Sequence, residues 1–188
     1  MEIVQKATSR PAKHNLSPIN ILHALTGLKP GDVAPIILPE VEGYTRDAFK
    51  CCIPKHRDAS IRLEANDKSL VKIYSDGSAM EEGVGAAAVL VDSILGETRV
   101  CKFHLGKVAE HTGYEAEVVG LMLALHQITE LPHRCAVTVY TDNQSGLNAI
   151  NPPPESPAGY LVQGIVAQMI GLRESRPNFA RGIVFRWI

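Results

Sequence analysis

The sequence predicts an α/β fold with a mixed sheet, in which three antiparallel strands are followed by parallel additions and helices pack on the sheet. Three β-rich segments follow one another with short links, at residues 71–75 (VKIYS), 84–92 (VGAAAVLVD) and 97–105 (ETRVCKFHL). Short links of this kind join antiparallel neighbours. Helices and strands then alternate, which is typical of a crossover to parallel pairing. The order β-β-β-α-β-α-β therefore predicts a five-stranded mixed sheet.

The later elements follow from periodicity and from helix-end signals. Thr112 and Glu115 have the spacing of a capping box, and a broad apolar stripe continues to residue 130, so we expect a helix over residues 112–130. Residues 136–141 (AVTVYT) have strand character. Three prolines at 152–154 break the chain, a second helix is expected at 159–174, and 183–188 (IVFRWI) is the last predicted strand.

The first third of the chain has a different texture. Six prolines interrupt residues 1–69, and only residues 18–28 (PINILHALTGL) have a helical pattern, with Ser17 as the expected N-cap. We therefore predict that residues 1–69 are a connector with one short helix, and that residues 70–188 form the folded domain.

Composition is that of a globular protein that does not enter membranes. Hydrophobic residues make up 45% of the 188 and charged residues 21%, and no apolar run has the length of a membrane span. The N-terminal segment has no apolar core of a secretory signal. Cys51, Cys52, Cys101 and Cys135 lack metal-ligand spacing, so we expect reduced thiols and an intracellular protein, in the nucleus or the cytoplasm.

Charge is distributed unevenly along the chain. Residues 1–70 hold 10 Lys and Arg against 8 Asp and Glu, whereas residues 71–188 hold 9 against 12. A domain that binds nucleic acid mainly by neutralising phosphates is basic. If the acidic part binds nucleic acid, we expect bound cations to mediate the contact.

Three carboxylates stand at the edges of the predicted elements. Asp76 follows the first strand, Glu117 lies in the second turn of the long helix, and Asp142 ends the fourth strand. The first and fourth strands are expected to be neighbours, so the three can converge. Clustered carboxylates repel each other unless a cation lies among them, and oxygen ligands suit Mg²⁺ or Mn²⁺. Taken singly, however, Asp-Gly-Ser is a common turn, Thr-Asp-Asn-Gln a common helix cap, and Glu117 an ordinary solvated residue.

Four stretches resemble the type 1 ribonuclease H domain of retroelement reverse transcriptases, in particular those of fungal non-LTR retrotransposons. They are residues 73–90 (IYSDGSAMEEGVGAAAVL), 104–125 (HLGKVAEHTGYEAEVVGLMLAL), 140–144 (YTDNQ) and 184–188 (VFRWI). The resemblance implies a ribonuclease H-like fold over residues 70–188, and an endonuclease that hydrolyses the RNA strand of RNA–DNA hybrids. More weakly, residues 1–69 resemble the segment that joins polymerase to nuclease, and would pack on a polymerase domain.

By the same resemblance, two Mg²⁺ ions, or Mn²⁺, would be bound by Asp76, Glu117 and Asp142. Asp76 would bridge both ions, and the other two would complete the second. The implied substrate contacts are Gly77, Ser78, Thr112, Asn143 and Gln144. Of these, Asn143 and Gln144 match positions near the minor groove of the hybrid, where 2′-hydroxyls identify RNA, and Thr112 matches a position that meets a phosphate of the DNA strand.

The sequence also departs from the family. Gly113 and Tyr114 stand where asparagines would grip the hybrid. A Pro-Gly-His turn and a final segment with a fourth carboxylate would follow the last strand, and the sequence ends before them. Neither His104 nor His111 is at the equivalent place. We therefore expect a C-terminally truncated domain with weak or no nuclease activity.

Two alternatives remain beside the nuclease. One is a catalytically weak or inactive ribonuclease-H-like module that binds nucleic acid. The other is a transposase or integrase core, which shares the fold but has the chain order Asp–Asp–Glu. The order Asp76, Glu117, Asp142 argues against this second class.

Overall fold

The computed structural model describes residues 50–81, 83–132, 135–150 and 159–188. These residues belong to a compact unit that spans Glu40–Ile188. The helix predicted at residues 18–28 and the proline break at 152–154 lie outside the described residues. In the part of the chain that is described, no helix combines the length and the apolar character needed to cross a bilayer.

Within these residues, six strands form one mixed sheet. They are β1 (Lys50–Cys52), β2 (Val71–Met80), β3 (Gly83–Asp92), β4 (Glu97–Gly106), β5 (Val137–Thr141) and β6 (Ile183–Trp187). The order across the sheet is β1-β6-β5-β2-β3-β4. β2, β3 and β4 are an antiparallel meander, and β5 and β6 add in parallel beside β2. The predicted mixed sheet is confirmed, and it has one strand more than expected.

The helices are α1 (Arg57–Ala65), α2 (Gly113–Thr129), α3 (Gln144–Ile150), α4 (Gly159–Ser175) and α5 (Pro177–Ala180). The predicted capping box at the start of α2 is present, with Thr112 as N-cap and Glu115 as its partner. α2 packs on β2 and β3, and α4 packs on α2. The core lies between this helix layer and the sheet, and includes the fully buried Ile73, Leu125 and Phe185.

β2 is longer than predicted, and this changes how the Asp-Gly-Ser segment is understood. Residues after Ser75 continue to pair with β3, from Asp76 opposite Ala87 to Met80 opposite Gly83. The segment is therefore strand and not a hairpin turn. The chain turns later, where Glu81 has a positive φ of 24°.

β1 and α1 were not predicted. β1 pairs in parallel with β6, and α1 contacts side chains of the sheet. Tyr74 and Arg186 reach it: the hydroxyl of Tyr74 donates to Glu64 over 2.9 Å, and Arg186 donates to the carbonyl of Leu63 over 3.2 Å. The segment from residue 50 onward is thus part of the sheet structure. The domain boundary at residue 70, and the prediction that residues 1–69 are a connector, remain proposals.

Candidate active site

The candidate site lies where β5 ends. β5 pairs with β2 only as far as Thr141, which lies opposite Ser75, while β2 continues along β3 to Met80. Beyond Ser75, β2 therefore has an open side. Asp76 is the first residue of this open stretch, and Asp142 is the first residue after β5. The strand register thus places these two carboxylates next to each other.

Glu117 reaches the same place from α2, because two glycines let the helix approach the strand closely. A Cβ atom on Gly77 would lie only 2.3 Å from the backbone nitrogen of Glu117 and 2.4 Å from the carbonyl carbon of Ala116. A Cβ atom on Gly120 would lie 3.1 Å from the carbonyl oxygen of Asp76. Gly77 was expected to contact substrate. Its position here is explained by backbone packing, which the sequence did not reveal.

The structure brings the three predicted carboxylates together. One oxygen from each of Asp76, Glu117 and Asp142 lies within 4.8 Å of the other two. Asp76 and Asp142 are exposed and Glu117 is partly buried. Two ligands of one Mg²⁺ lie no further apart than about 4.2 Å, twice a metal–oxygen distance of about 2.1 Å. Small side-chain rotations would therefore suffice for a shared ion.

The surroundings of Glu117 oppose its negative charge, and no positive group in the described residues compensates it. Burial, together with the charges of Asp142 and Asp76, raises its pKa from 4.5 to about 7, although the backbone N–H of Gly77 opposes the rise. Oxygen Oε2 of Glu117 is buried and, among the described residues, has no hydrogen-bond partner. A buried carboxylate oxygen without a donor is costly unless a cation contacts it. The donor set is oxygen only, which suits a hard divalent ion.

The last strand holds the end of β5 in place. The indole N–H of Trp187 donates to the carbonyl of Asp142 over 3.0 Å, and the backbone N–H of Ile188 donates to the carbonyl of Thr141 over 3.0 Å. Trp187 also lies opposite Thr141 in the β5–β6 register. Sequence reasoning missed Trp187, because its role depends on a register that the sequence does not specify.

The other predicted site residues flank the carboxylates on both sides. Ser78 is exposed on the open stretch of β2, two residues after Asp76. Asn143 follows Asp142, and its side-chain oxygen accepts from the backbone N–H of Gly146 over 2.9 Å. Gln144 is exposed at the start of α3. Asn143 thus caps α3, while the side chains of Ser78 and Gln144 are open to solvent.

Thr112 is engaged by its own helix. Its hydroxyl donates to a carboxylate oxygen of Glu115 over 3.1 Å and accepts from the backbone N–H of Glu115 over 3.1 Å. The same carboxylate lies 3.9 Å from His111. A phosphate that approaches Thr112 would therefore meet a neighbouring negative charge.

No family model matches the sequence, and no curated protein matches it. Among solved structures, the chain is similar to the protease–reverse transcriptase of prototype foamy virus, with a TM-score of 0.50 and 17% identity; the match covers 98% of this chain and 25% of that one. It is also similar to the N-terminal ribonuclease H domain of a Mycobacterium tuberculosis protein, with a TM-score of 0.49 and 19% identity over 63% of this chain and 86% of that one.

A further similar structure is LC11-RNase H1 in complex with an RNA/DNA hybrid, with a TM-score of 0.45 and 20% identity; it covers 63% of this chain and 84% of that one. At such identities the likeness concerns the fold. The sheet order and the likeness to the foamy virus structure agree with the predicted ribonuclease H-like fold, and this fold-level part of the resemblance is confirmed. The fungal non-LTR origin stays a prediction.

Proposed function

We propose that this chain is an endonuclease that hydrolyses the RNA strand of RNA–DNA hybrids by two-metal-ion catalysis, as part of a retroelement reverse transcriptase or derived from one. The observation that carries the proposal is the convergence of Asp76, Glu117 and Asp142 to within 4.8 Å at the open side of β2. The ribonuclease H-like fold and the resemblance to fungal non-LTR elements support it.

Asp76, Glu117 and Asp142 would hold Mg²⁺, or Mn²⁺ in its place. Bound there, such ions would supply activation of a water molecule and stabilisation of the negative charge on the phosphate and the leaving oxygen. Asp76 lies on β2, at the start of the stretch whose side is open beyond the end of β5. It is the residue proposed to contact both ions. Glu117 and Asp142 would complete the site of the second ion. Oxygen Oε2 of Glu117 is buried and has no donor among the described residues.

The residues around the carboxylates would position the hybrid. We propose that Asn143 and Gln144 face the minor groove, where 2′-hydroxyls distinguish RNA from DNA. Ser78 would contact the backbone next to Asp76, and Gly77 would contribute its main chain. Thr112 would approach a phosphate of the DNA strand, although the carboxylate of Glu115 weakens that contact by charge repulsion.

The proposal also concerns the rest of the chain. Residues 70–188 would carry the nuclease site, and residues 1–69 would join it to a polymerase domain and pack on that domain, although β1 and α1 within this segment also contact the nuclease sheet. We place such a retroelement product in the nucleus or the cytoplasm.

A cleavage assay tests the proposal. The purified chain is incubated with a hybrid labelled on its RNA strand, first in Mg²⁺ and then in Mn²⁺. We expect any cleavage of the RNA strand to be weak, to be lost in Asp142→Asn and to be kept in Asp58→Asn, which changes an exposed aspartate of α1. Cleavage that persists in Asp142→Asn would show that the activity does not come from this site.

A second candidate is a catalytically weak or inactive module that binds nucleic acid. The observation that favours it is that three carboxylates converge among the described residues, whereas the resemblance implies four. Calorimetric titration with Mn²⁺ separates the two, because a metallonuclease must bind the ion. If the ion binds but RNA is not cut, a version with a family-like Pro-Gly-His and final Asp segment added after Ile188 should cut it.

A further inference from the structure

A groove leaves the carboxylate site across strands β2, β3 and β4. It is open to solvent, has a volume of about 500 Å³ and is lined by residues of β2, β3 and β4, among them Asp76, Lys102, His104 and the exposed Phe103. Asp76 therefore belongs both to the carboxylate cluster and to this groove. A polymer held at the cluster can continue into the groove without leaving the surface.

The strand register explains why the floor of the groove is low. Asp76 lies opposite Ala87 of β3, and Ala87 lies opposite Lys102 of β4. In the next row on the same face, Gly85 is opposite His104. The middle strand thus carries small residues, while the flanking strands carry longer polar side chains. A floor of small residues leaves room for a ligand backbone.

Lys102 is the cation of this groove. It is exposed, and among the described residues no carboxylate lies within ion-pairing distance of it. Neighbouring strands are about 4.8 Å apart, so the backbones at Asp76 and Lys102 are roughly 10 Å apart. A nucleic-acid strand covers this distance with about three nucleotides of rise.

We infer that this groove binds the sugar–phosphate backbone of a nucleic-acid strand that leaves the carboxylate site, with the ammonium group of Lys102 on a phosphate. The inference rests on the proposed function, and adds to it the path of the strand and the residue that neutralises it. Lysine binds phosphate as a point charge.

Lys102 also has a plainer explanation. β4 is an edge strand, and lysines on edge strands prevent pairing with other chains. Lys50 on β1 serves as the matched control, because it is an exposed lysine on the opposite edge of the sheet. The two variants Lys102→Ala and Lys50→Ala remove the same charge at different places.

The experiment measures binding of a labelled RNA–DNA hybrid by fluorescence anisotropy over a salt series at fixed Mg²⁺, in the Asp142→Asn background so that the hybrid stays intact. A phosphate contact contributes about one to the slope of log K against log salt. We expect Lys102→Ala to reduce the slope by about one, with Lys50→Ala unchanged. Ala87→Leu, which narrows the groove at constant charge, should weaken binding without changing the slope.

The outcomes distinguish a failure of the groove proposal from a failure of the nuclease proposal. Equal slopes for the two lysine variants, or a change in oligomeric state alone in Lys102→Ala, overturn the groove and leave the nuclease proposal to the cleavage assay. If Lys102→Ala reduces the slope but the wild-type chain neither cleaves RNA nor binds Mn²⁺, the groove is supported and the nuclease is refuted. If neither hybrid, duplex DNA nor single strands bind, both are refuted.

Discussion

Among the described residues, Glu117 is the carboxylate whose surroundings most oppose its negative charge. Its pKa is raised to about 7 by burial and by Asp142 and Asp76, whereas in the unfolded chain it would ionise near 4.5. Between these values the native state holds a proton that the unfolded state releases. The contribution of Glu117 to stability is therefore fully present below about pH 4.5 and is lost as the pH rises through 7.

The metal-free chain should accordingly lose stability between about pH 4.5 and 7, and Glu117→Gln should be flatter over this range. Urea denaturation in EDTA at a series of pH values measures this. Glu110→Gln, which changes an exposed carboxylate just before α2, should keep the wild-type dependence. A Glu117→Gln variant with the same pH dependence as wild type would show that the carboxyl is not perturbed.

Trp187 acts on the site through the backbone of Asp142. Trp187→Phe keeps most of the ring and removes the N–H that donates to the Asp142 carbonyl. Groups that orient metal ligands from behind typically contribute 10–100-fold to affinity, so we expect Mn²⁺ to bind about tenfold more weakly. The free energy of unfolding should fall by only about 1 kcal/mol.

The control for Trp187 is Phe185→Leu, a substitution in the core of the same strand. It should lower stability by about 1 kcal/mol or more and leave the Mn²⁺ affinity nearly unchanged. Calorimetry and thermal denaturation of both variants give the comparison. If the loss of Mn²⁺ affinity were proportional to the loss of stability in both variants, the role of Trp187 would be structural alone.

Between elements, the contact of α2 with β2 sets the position of Glu117. Gly77→Ala would place a methyl group 2.3 Å from the Glu117 nitrogen, so the helix has to move away. We expect a loss of about 1–3 kcal/mol in stability together with weaker Mn²⁺ binding. Gly171→Ala in α4 is the control, because nothing lies within 4 Å of its added methyl group.

The control should change stability in the opposite direction, since alanine replaces glycine inside a helix with a gain of up to about 1 kcal/mol. Denaturant unfolding and Mn²⁺ titration of the two variants give the result. A Gly77→Ala variant as stable as wild type would mean that strand and helix are not in close contact.

Elements with strong periodicity were predictable, and those defined by tertiary contacts were not. The capping box at Thr112 and the apolar stripe of α2 indicated that helix directly. α1 is different, because Ser60 is its only buried residue and its position depends on side chains of the sheet. Two residues after α1, the hydroxyl of Tyr140 donates a further hydrogen bond to Asp67 over 2.6 Å.

The Asp67 cluster shows why such contacts escape a reading of sequence alone. Burial would raise the pKa of Asp67, but hydrogen bonds from Tyr140, Ser69 and Thr138 lower it to about 2. Tyr140 is 73 residues from Asp67 in the chain. Neither the order of elements nor the composition specifies a pairing over this distance, so the sequence alone does not reveal that residues just before 70 contact the sheet.

The carboxylates were more predictable than their supports. Side chains at strand ends and helix starts converge wherever neighbouring strands share an edge, so Asp76, Glu117 and Asp142 could be singled out from the order of elements. Their geometry depends on Gly77, Gly120 and Trp187, which act through backbone contacts. Such contacts leave no pattern in one sequence.

At the scale of the whole molecule, the acidic balance of residues 71–188 makes a bound cation a source of stability. A ligand that binds only the native state stabilises it by about 2.7 kcal/mol when present at about 100 times its Kd. For a chain of this size that corresponds to roughly 5–10 °C in Tm. We expect Mn²⁺ to raise Tm by this amount at pH 8.

The pH dependence of this shift identifies the site. At pH 5, Glu117 is mostly protonated in the metal-free native state, so the ion must displace a proton and the rise in Tm should shrink. The double variant Asp76→Asn/Asp142→Asn lacks two of the three ligands and should show little rise at either pH. Thermal denaturation with Mn²⁺ and with EDTA compares the two chains. An equal rise in the double variant would place the stabilising ion elsewhere on the molecule, and the three carboxylates would then repel each other without the cation that their geometry suits.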